Sequence, residues 1–134
     1  MEKKRILFVD DELDMRIYLA TVLRTAGYEA SGARNAREAL DAARRSPPDL
    51  ILMDVMMPQA GGVVLYQELK KDPRLRDIPV VVLTGVGEKP FAHHLRMLNL
   101  RLAEPLPPPD GYLEKPVEPD RLLRTIEPLL HRQA

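Results

Sequence analysis

The chain has 134 residues, which is enough for one domain built around a single hydrophobic core. Its 20 basic and 20 acidic residues cancel, whereas duplex-binding modules carry a basic excess, so we expect no direct nucleic-acid partner. Cysteine is absent, which excludes disulfides and thiolate chemistry, and no apolar stretch suits a signal peptide or membrane span, so we expect a cytoplasmic protein without a membrane partner.

Strands and helices alternate from the start of the chain. The continuous apolar run at residues 6–9 predicts a buried strand. Residues 15–26 place apolar side chains on one helical face, and Gly27 is suited to end that helix in the left-handed conformation. Residues 28–31 form a weaker strand candidate.

The second helix and third strand follow. Asn35 and Glu38 have the spacing of a capping box, which predicts a helix that runs to about Ser46. Four aliphatic residues at 50–53 then predict a strand buried on both faces. Asp54 stands at the tip of this strand, where a loop begins.

The remaining elements repeat the pattern less regularly. A helix is predicted over residues 63–71, and a buried strand over residues 80–83. Another helix fits about residues 90–103, and the prolines at 105 and 107–109 favour an extended polyproline conformation.

The chain ends with a short strand and a helix. Residues 111–113 are a minimal strand, and Pro119 suits the first position of a last helix. Pro128 falls inside that helix and removes a backbone hydrogen bond, so we expect a kink or an early end there.

This alternation predicts the α/β class. Buried strands joined through helices imply right-handed parallel crossovers and helices on both faces of the sheet. We predict one domain over residues 1–134, with a doubly wound five-stranded parallel sheet in the order 2-1-3-4-5.

Polar residues follow four of the predicted strands: Asp10, Asp11, Asp54, Thr84 and Lys115. In the predicted order, neighbouring strands lie roughly 4.8 Å apart and their carboxyl ends share the edge where ligands bind. The three carboxylates would meet over one gap, and such a group requires a cation, for which oxygen ligands favour Mg²⁺.

Each of these residues alone has a structural explanation. Acids are favoured at helix N-termini, a threonine at a strand end forms local hydrogen bonds, and a lysine is usually a solvated charge. Together they form an acidic metal site with a carboxylate nucleophile, a hydroxyl and a cation, which indicates phosphoryl transfer onto Asp54.

Four segments of the chain form a recognisable set: residues 6–12, 54–62, 79–85 and 111–116. Together they resemble the receiver domain of two-component response regulators, of the single-domain chemotaxis type. The resemblance covers nearly the whole chain and implies the flavodoxin-like receiver fold.

The resemblance implies a phosphoprotein that acts as a switch in signal transduction or a phosphorelay. Asp54 would accept a phosphoryl group from a histidine kinase or phosphotransfer protein, forming an aspartyl phosphate. Asp10, Asp11, Asp54 and the backbone carbonyl of Met56 would hold Mg²⁺, and Mn²⁺ would substitute for it. The protein would not be a conventional enzyme, because it would only phosphorylate itself and slowly dephosphorylate.

Further roles follow from the same resemblance. Lys115 would pair with the phosphoryl oxygens, and the bond between Lys115 and Pro116 would be cis. Thr84 would move toward the phosphoryl group, coupled to Tyr112, and so change the face of the fourth helix, fifth strand and fifth helix that a partner reads.

Met56 and Val86 occupy the positions that tune dephosphorylation. Both are apolar and cannot orient an attacking water, which predicts a phosphorylated form that lasts longer than seconds.

The segment from about residue 86 to residue 110 is longer than in ordinary receivers. It is either a tolerated surface insertion, which costs little loop entropy, or an altered partner surface with residues 105–109 as a stiff recognition segment. No output domain is expected after residue 134, so the effect would pass to another, unknown protein.

Two other functions remain open. A phosphatase of the haloacid-dehalogenase type also has an aspartate nucleophile, but it requires an acid two residues later. Met56 stands at that distance from Asp54, and Glu12 follows Asp10 as a poor substitute. The third possibility is a receiver-like scaffold that is never phosphorylated.

Overall fold

Five strands and five helices alternate through the described part of the chain. The structure is a computed structural model that describes residues 3–55, 61–85, 89–100 and 105–131. The elements in chain order are β1 Arg5–Val9, α1 Leu13–Thr25, β2 Glu29–Ala33, α2 Ala36–Arg45, β3 Leu50–Asp54, α3 Gly61–Lys71, β4 Val80–Thr84, α4 Lys89–Asn99, β5 Gly111–Glu114 and α5 Pro119–Leu130.

The strands form one parallel sheet in the order β2-β1-β3-β4-β5, which confirms the predicted order. Asp54 pairs with Leu83 and Thr84 pairs with Glu114. The carboxyl ends of β3, β4 and β5 are therefore aligned within about one residue of each other. This alignment positions the candidate site.

The two faces of the sheet carry separate hydrophobic clusters. Alternate strand residues point to opposite faces, so β3 contributes Ile51 and Met53 to one cluster and Leu50 and Leu52 to the other. The first cluster packs against α2, α3 and α4, and the second packs against α1 and α5. Helices therefore cover both faces, as the continuous apolar strands predicted.

The end of α1 follows its sequence signal. Gly27 has φ 97°, the left-handed conformation that glycine adopts readily. The Tyr28 N–H donates to the Leu23 carbonyl and the Gly27 N–H to the Arg24 carbonyl, the two bonds of a Schellman motif. The turn directs the chain into β2, which covers residues 29–33 rather than the predicted 28–31.

The predicted capping box at α2 is only half formed. The Asn35 side chain accepts a hydrogen bond from the Glu38 N–H at 2.9 Å. The Glu38 carboxylate binds Arg34 instead of the Asn35 N–H, because it accepts from both the backbone and the guanidinium of Arg34. An ion pair thus replaces the reciprocal bond.

Of the last two helices, the fourth ends earlier than predicted, whereas the fifth begins where the sequence predicts. α4 ends at Asn99 and not near residue 103, and the Asn99 side chain binds the backbone of Leu106. α5 begins at Pro119 as predicted and contains Pro128. It ends two residues later at Leu130, so the missing bond affects only its last turn.

Across the described ranges, no helix has both the length and the apolar character that a membrane span requires.

Candidate functional site

Three buried polar residues lie at the edge of the sheet formed by the carboxyl ends of its strands. Asp10 follows β1, while Asp54 and Thr84 are the last residues of β3 and β4. Their exposed fractions are 0%, 1% and 1%, and among the described residues they are the buried polar or charged side chains. Because burying a carboxylate is costly unless it is paired, this edge must supply partners for both aspartates.

Lys115 supplies a shared partner. It follows β5, and its Nζ lies 3.2 Å from Asp10 Oδ2 and 3.3 Å from Asp54 Oδ2. Burial alone would lower the pKa of Lys115, but the carboxylates of Asp54 and Asp10 outweigh that effect and raise it. The side chain therefore remains an ammonium ion that joins the ends of β1 and β3.

Asp10 is held at every polar group. Its Oδ1 accepts the Glu12 N–H at 2.9 Å, while Oδ2 contacts Lys115. Its carbonyl accepts from Arg16 Nη1 at 2.8 Å, and its own N–H donates to the Ala33 carbonyl at 3.1 Å. The carboxylate orientation is thus fixed before any ligand binds.

The acidic cluster differs in membership from the predicted metal set. Asp10, Asp11 and Glu12 offer carboxylate oxygens that lie within 4.8 Å of one another, with Asp11 and Glu12 exposed. In the described residues this cluster contains Glu12 and not Asp54, whose carboxylate contacts Lys115. The sequence prediction left Glu12 out of the metal set, although three consecutive acids were a visible signal.

Thr84 and Tyr112 lie on neighbouring strands. The Thr84 carbonyl accepts the Lys115 N–H at 2.7 Å, which fixes the start of the loop after β5. Tyr112 is half-buried and packs against the first hydrophobic cluster. The peptide bond between Lys115 and Pro116 is cis, the isomer that the resemblance implies. Met56 and Val86 lie outside the described residues.

The connection between α4 and β5 is anchored at three points. The Asn99 amide donates to the Leu106 carbonyl at 3.0 Å and accepts the Leu106 N–H at 2.8 Å. The Tyr66 hydroxyl donates to the Pro107 carbonyl. Asp110 and Val80 exchange two hydrogen bonds of 2.9 Å each. The proline-rich segment is therefore tied to α3, α4 and β4.

Burial along this segment follows a three-residue spacing. Leu106 and Pro109 are buried, whereas the prolines at 105, 107 and 108 are exposed. A polyproline helix has three residues per turn, so the spacing fits the predicted extended conformation, with one edge on the core and two edges in solvent.

Comparisons with known proteins agree with this architecture. The profile of the family described as "Response regulator receiver domain" matches residues 6–127. The polar-differentiation response regulator DivK of Brucella anthropi is 34% identical over 130 residues, which cover 97% of this chain and 98% of DivK.

A longer relative and a solved structure extend the comparison. The probable transcriptional regulator ycf27 of Cyanophora paradoxa is 38% identical over 132 residues, and the match spans 98% of this chain but 50% of ycf27. The chemotaxis protein CheY4 of Vibrio cholerae superimposes with a TM-score of 0.82 at 26% identity, covering 96% of this chain and 99% of CheY4.

Proposed function

The chain belongs to the response regulator receiver domain family, and we propose that it is a switch in which Asp54 accepts a phosphoryl group from a histidine kinase or a phosphotransfer protein. Receiver domains are signalling proteins of two-component systems rather than conventional enzymes. The observation that carries the proposal is the buried Asp54 carboxylate 3.3 Å from the Lys115 ammonium. Transfer from such donors also implies that the protein works in the cytoplasm.

The contacts of Asp54 suit it to nucleophilic attack on phosphorus. One carboxylate oxygen of Asp54 forms a bond to phosphorus while the bond between phosphorus and the donor histidine nitrogen breaks, and that nitrogen keeps the electron pair. Lys115 already contacts Asp54, so its positive charge is in place for the negative phosphoryl oxygens. The buried Thr84 hydroxyl, one strand away, is proposed to bind the same group.

The donor set of the site fits Mg²⁺. Receiver domains in general bind this ion through acidic residues. Here two buried carboxylates share one ammonium, so a formal negative charge is left over, and the exposed Asp11 and Glu12 add to it. Asp10 and Asp11 are proposed to hold the ion, with Asp54, the Met56 carbonyl and the newly found Glu12 as further oxygen donors. When bound, Mg²⁺ would neutralise negative charge on the phosphoryl group, and Mn²⁺ is expected to substitute.

The surface beside the site suits a donor protein. Leu13 and Ile17 are 62% and 57% exposed and lie four residues apart on one face of α1. α1 begins directly after the acidic cluster, so a donor that covers these two side chains would bring its phosphohistidine close to Asp54. Substituting both by serine should weaken phosphorylation by the cognate kinase but leave phosphorylation by acetyl phosphate unchanged.

We propose that Thr84 and Tyr112 transmit phosphorylation to the face formed by α4, β5 and α5. The anchored proline segment belongs to the connection between α4 and β5, and its exposed prolines would form part of the surface that the target protein reads. Protein treated with beryllofluoride should retain a target that untreated protein does not. Replacing Pro105 and Pro108 by alanine should abolish that retention; unchanged retention would make the segment a tolerated insertion.

The phosphorylated form is proposed to be long-lived, because neither Met56 nor Val86 has a polar side chain that orients water. Decay of the purified phosphoprotein should take much longer than seconds. Substituting Met56 by asparagine should accelerate the decay, and a half-life of seconds in the unmodified protein would contradict the proposal.

Labelling with acetyl phosphate tests the proposed function. Wild-type protein with Mg²⁺ should incorporate phosphate, whereas Asp54→Asn protein and wild-type protein with a chelator should not. Labelling of neither wild type nor variant would favour the scaffold. Catalytic turnover of a small phosphate ester, lost in Asp54→Asn, would favour the phosphatase.

A further inference from the structure

Two side chains of α1 reach the backbone of the two loops that carry Asp10 and Lys115. Arg16 Nη1 donates to the carbonyl of Asp10 at 2.8 Å. The Tyr18 hydroxyl donates to the carbonyl of Val117 at 2.6 Å, across 99 positions of sequence. Each bond ends on a backbone atom within two residues of a charged group of the site.

The two bonds leave α1 on different sides. Residues two apart on a helix point about 200° from each other, so Arg16 and Tyr18 extend to opposite sides of the same helix. Arg16 lies on the side of Glu38, whose pKa it helps to lower, while Tyr18 packs with the second hydrophobic cluster, which includes Val117. One helix thus binds the backbone of Asp10 and the backbone of the loop that carries Lys115.

Lys115 depends on this support more than Asp10 does. Its side chain spans from the far side of β4 to carboxylates at the ends of β1 and β3. Its N–H is fixed by the Thr84 carbonyl, and two residues later the Val117 carbonyl is fixed by Tyr18. The loop is therefore pinned on both sides of the ammonium-bearing residue, once by β4 and once by α1.

We propose that Arg16 and Tyr18 are positioning residues, through which α1 sets the distance between Lys115 and the carboxylates of Asp10 and Asp54. The inference deepens the proposed function, since it assigns the residues that pre-organise the phosphorylation site. Neither residue contacts the reacting atoms. Their role is to hold the backbone from which the reacting groups extend.

The same chain offers a matched control for each residue. Arg24, also on α1, donates from its guanidinium to a backbone carbonyl, that of Ala30 at 2.9 Å, at the end of the helix away from the site. Tyr28 is a partly buried tyrosine whose pKa is raised by burial and by Glu127 on α5. Each test variant therefore has a control that deletes the same atoms far from the site. Arg24→Gln is the control for Arg16→Gln, and Tyr28→Phe is the control for Tyr18→Phe.

Hydrogen exchange of the Lys115 N–H is the first measurement, because it needs neither phosphate nor Mg²⁺. Tyr18→Phe should accelerate this exchange about fivefold relative to wild type, the effect of losing one ordinary hydrogen bond, while Tyr28→Phe leaves it unchanged. Equal exchange in Tyr18→Phe and Tyr28→Phe would overturn the role of Tyr18.

Phosphorylation and Mg²⁺ binding are the second measurement. Tyr18→Phe and Arg16→Gln should lower the maximal rate of labelling by acetyl phosphate about fivefold, whereas both control variants label like wild type. Removing the positive charge of Arg16 would by itself tighten Mg²⁺ binding, whereas loosening Asp10 weakens it. We expect Arg16→Gln to weaken the Mg²⁺-dependent rise in melting temperature.

The two proposals fail in different ways. Labelling that survives Asp54→Asn would refute the proposed function and leave the exchange result to decide the positioning role. Normal dependence on Asp54, together with wild-type rates, exchange and Mg²⁺ binding in Arg16→Gln and Tyr18→Phe, would refute the positioning role alone.

Discussion

The site at the strand ends and the proline-rich connection between α4 and β5 both join distant parts of the chain through side chains. The two regions differ in the kind of contact that these side chains make. At the strand ends Lys115 joins two buried carboxylates, so the contacts are between charges. In the connection Asn99 and Tyr66 bind backbone atoms through neutral hydrogen bonds, and the Asp110 carboxylate accepts the backbone N–H of Val80.

The difference separates a reactive region from a structural one. Neutral hydrogen bonds that satisfy a buried backbone contribute stability and have no further chemistry to perform. A lysine shared between two buried carboxylates leaves negative charge unbalanced, which a metal ion can neutralise. Substitutions in the first region should therefore change phosphorylation. Substitutions of the anchoring side chains Asn99 and Tyr66 in the second should lower stability and leave phosphorylation unchanged.

The largest effect is expected at Lys115. Lys115→Met removes the positive charge beside Asp54 and should slow labelling by acetyl phosphate about 100-fold, the usual loss when one preorganised charge-stabilising group is removed. Initial rates of labelling at saturating Mg²⁺ measure this. Lys115→Arg keeps the charge with a different geometry, so its labelling rate should lie between those of wild type and Lys115→Met. A Lys115→Met rate close to that of wild type would contradict the distinction between the two regions.

Asn99 should produce the opposite result. Asn99→Ala leaves the N–H and carbonyl of the buried Leu106 without the side chain that binds both, and should lower the free energy of unfolding by about 2 kcal/mol. Urea titration measures the loss. Asn99→Asp keeps the acceptor but not the donor and should lose less, and labelling by acetyl phosphate should stay at the wild-type rate in both variants.

Tyr66 tests the same region with a smaller change. Tyr66→Phe keeps the fully buried ring and removes only the hydroxyl that donates to the Pro107 carbonyl. The expected loss is about 1 kcal/mol of unfolding free energy, again by urea titration. A loss of phosphorylation in this variant would contradict the separation between this connection and the phosphorylation site.

High pH should reveal the charge on Lys115 with the smallest effect. The pKa of Lys115 is raised above its ordinary value of 10.5, so its ion pairs contribute fully to stability below that value. Their contribution disappears as the pH rises through the raised pKa of the folded state. The pKa values of Tyr28 and Tyr66 are also raised, so these tyrosines contribute to the pH dependence of both proteins. The measurement is therefore the difference in unfolding free energy between wild type and Lys115→Met, which should shrink above pH 10.5. A difference independent of pH would contradict the assignment.

The sequence predicted the charged region better than the neutral one. Asp10, Asp54 and Lys115 follow apolar runs, and the sheet topology then requires them to meet, so periodicity and order were sufficient. Nothing periodic marks the bond between Asn99 and Leu106, and for that reason the end of α4 was misplaced. The bond between Tyr18 and Val117 spans 99 positions and likewise leaves no local pattern.

One error arose from the choice between two hydrogen-bond partners that are equally near in sequence. The predicted capping box paired the Glu38 carboxylate with the Asn35 N–H. In the structure that carboxylate accepts from the backbone N–H and the charged guanidinium of Arg34 instead. Glu12 was left out of the predicted metal set, which stays a prediction, and its carboxylate lies beside those of Asp10 and Asp11. For Glu38 the residue was identified correctly and its electrostatic partner was not.

Locating the phosphate within the chain tests the central claim most directly. After treatment with acetyl phosphate and Mg²⁺, peptide mapping should place the modification on Asp54, and hydroxylamine should release it, as an acyl phosphate requires. A phosphate that resists hydroxylamine, or that maps to a histidine, serine or threonine while Asp54 stays unmodified, would contradict the account.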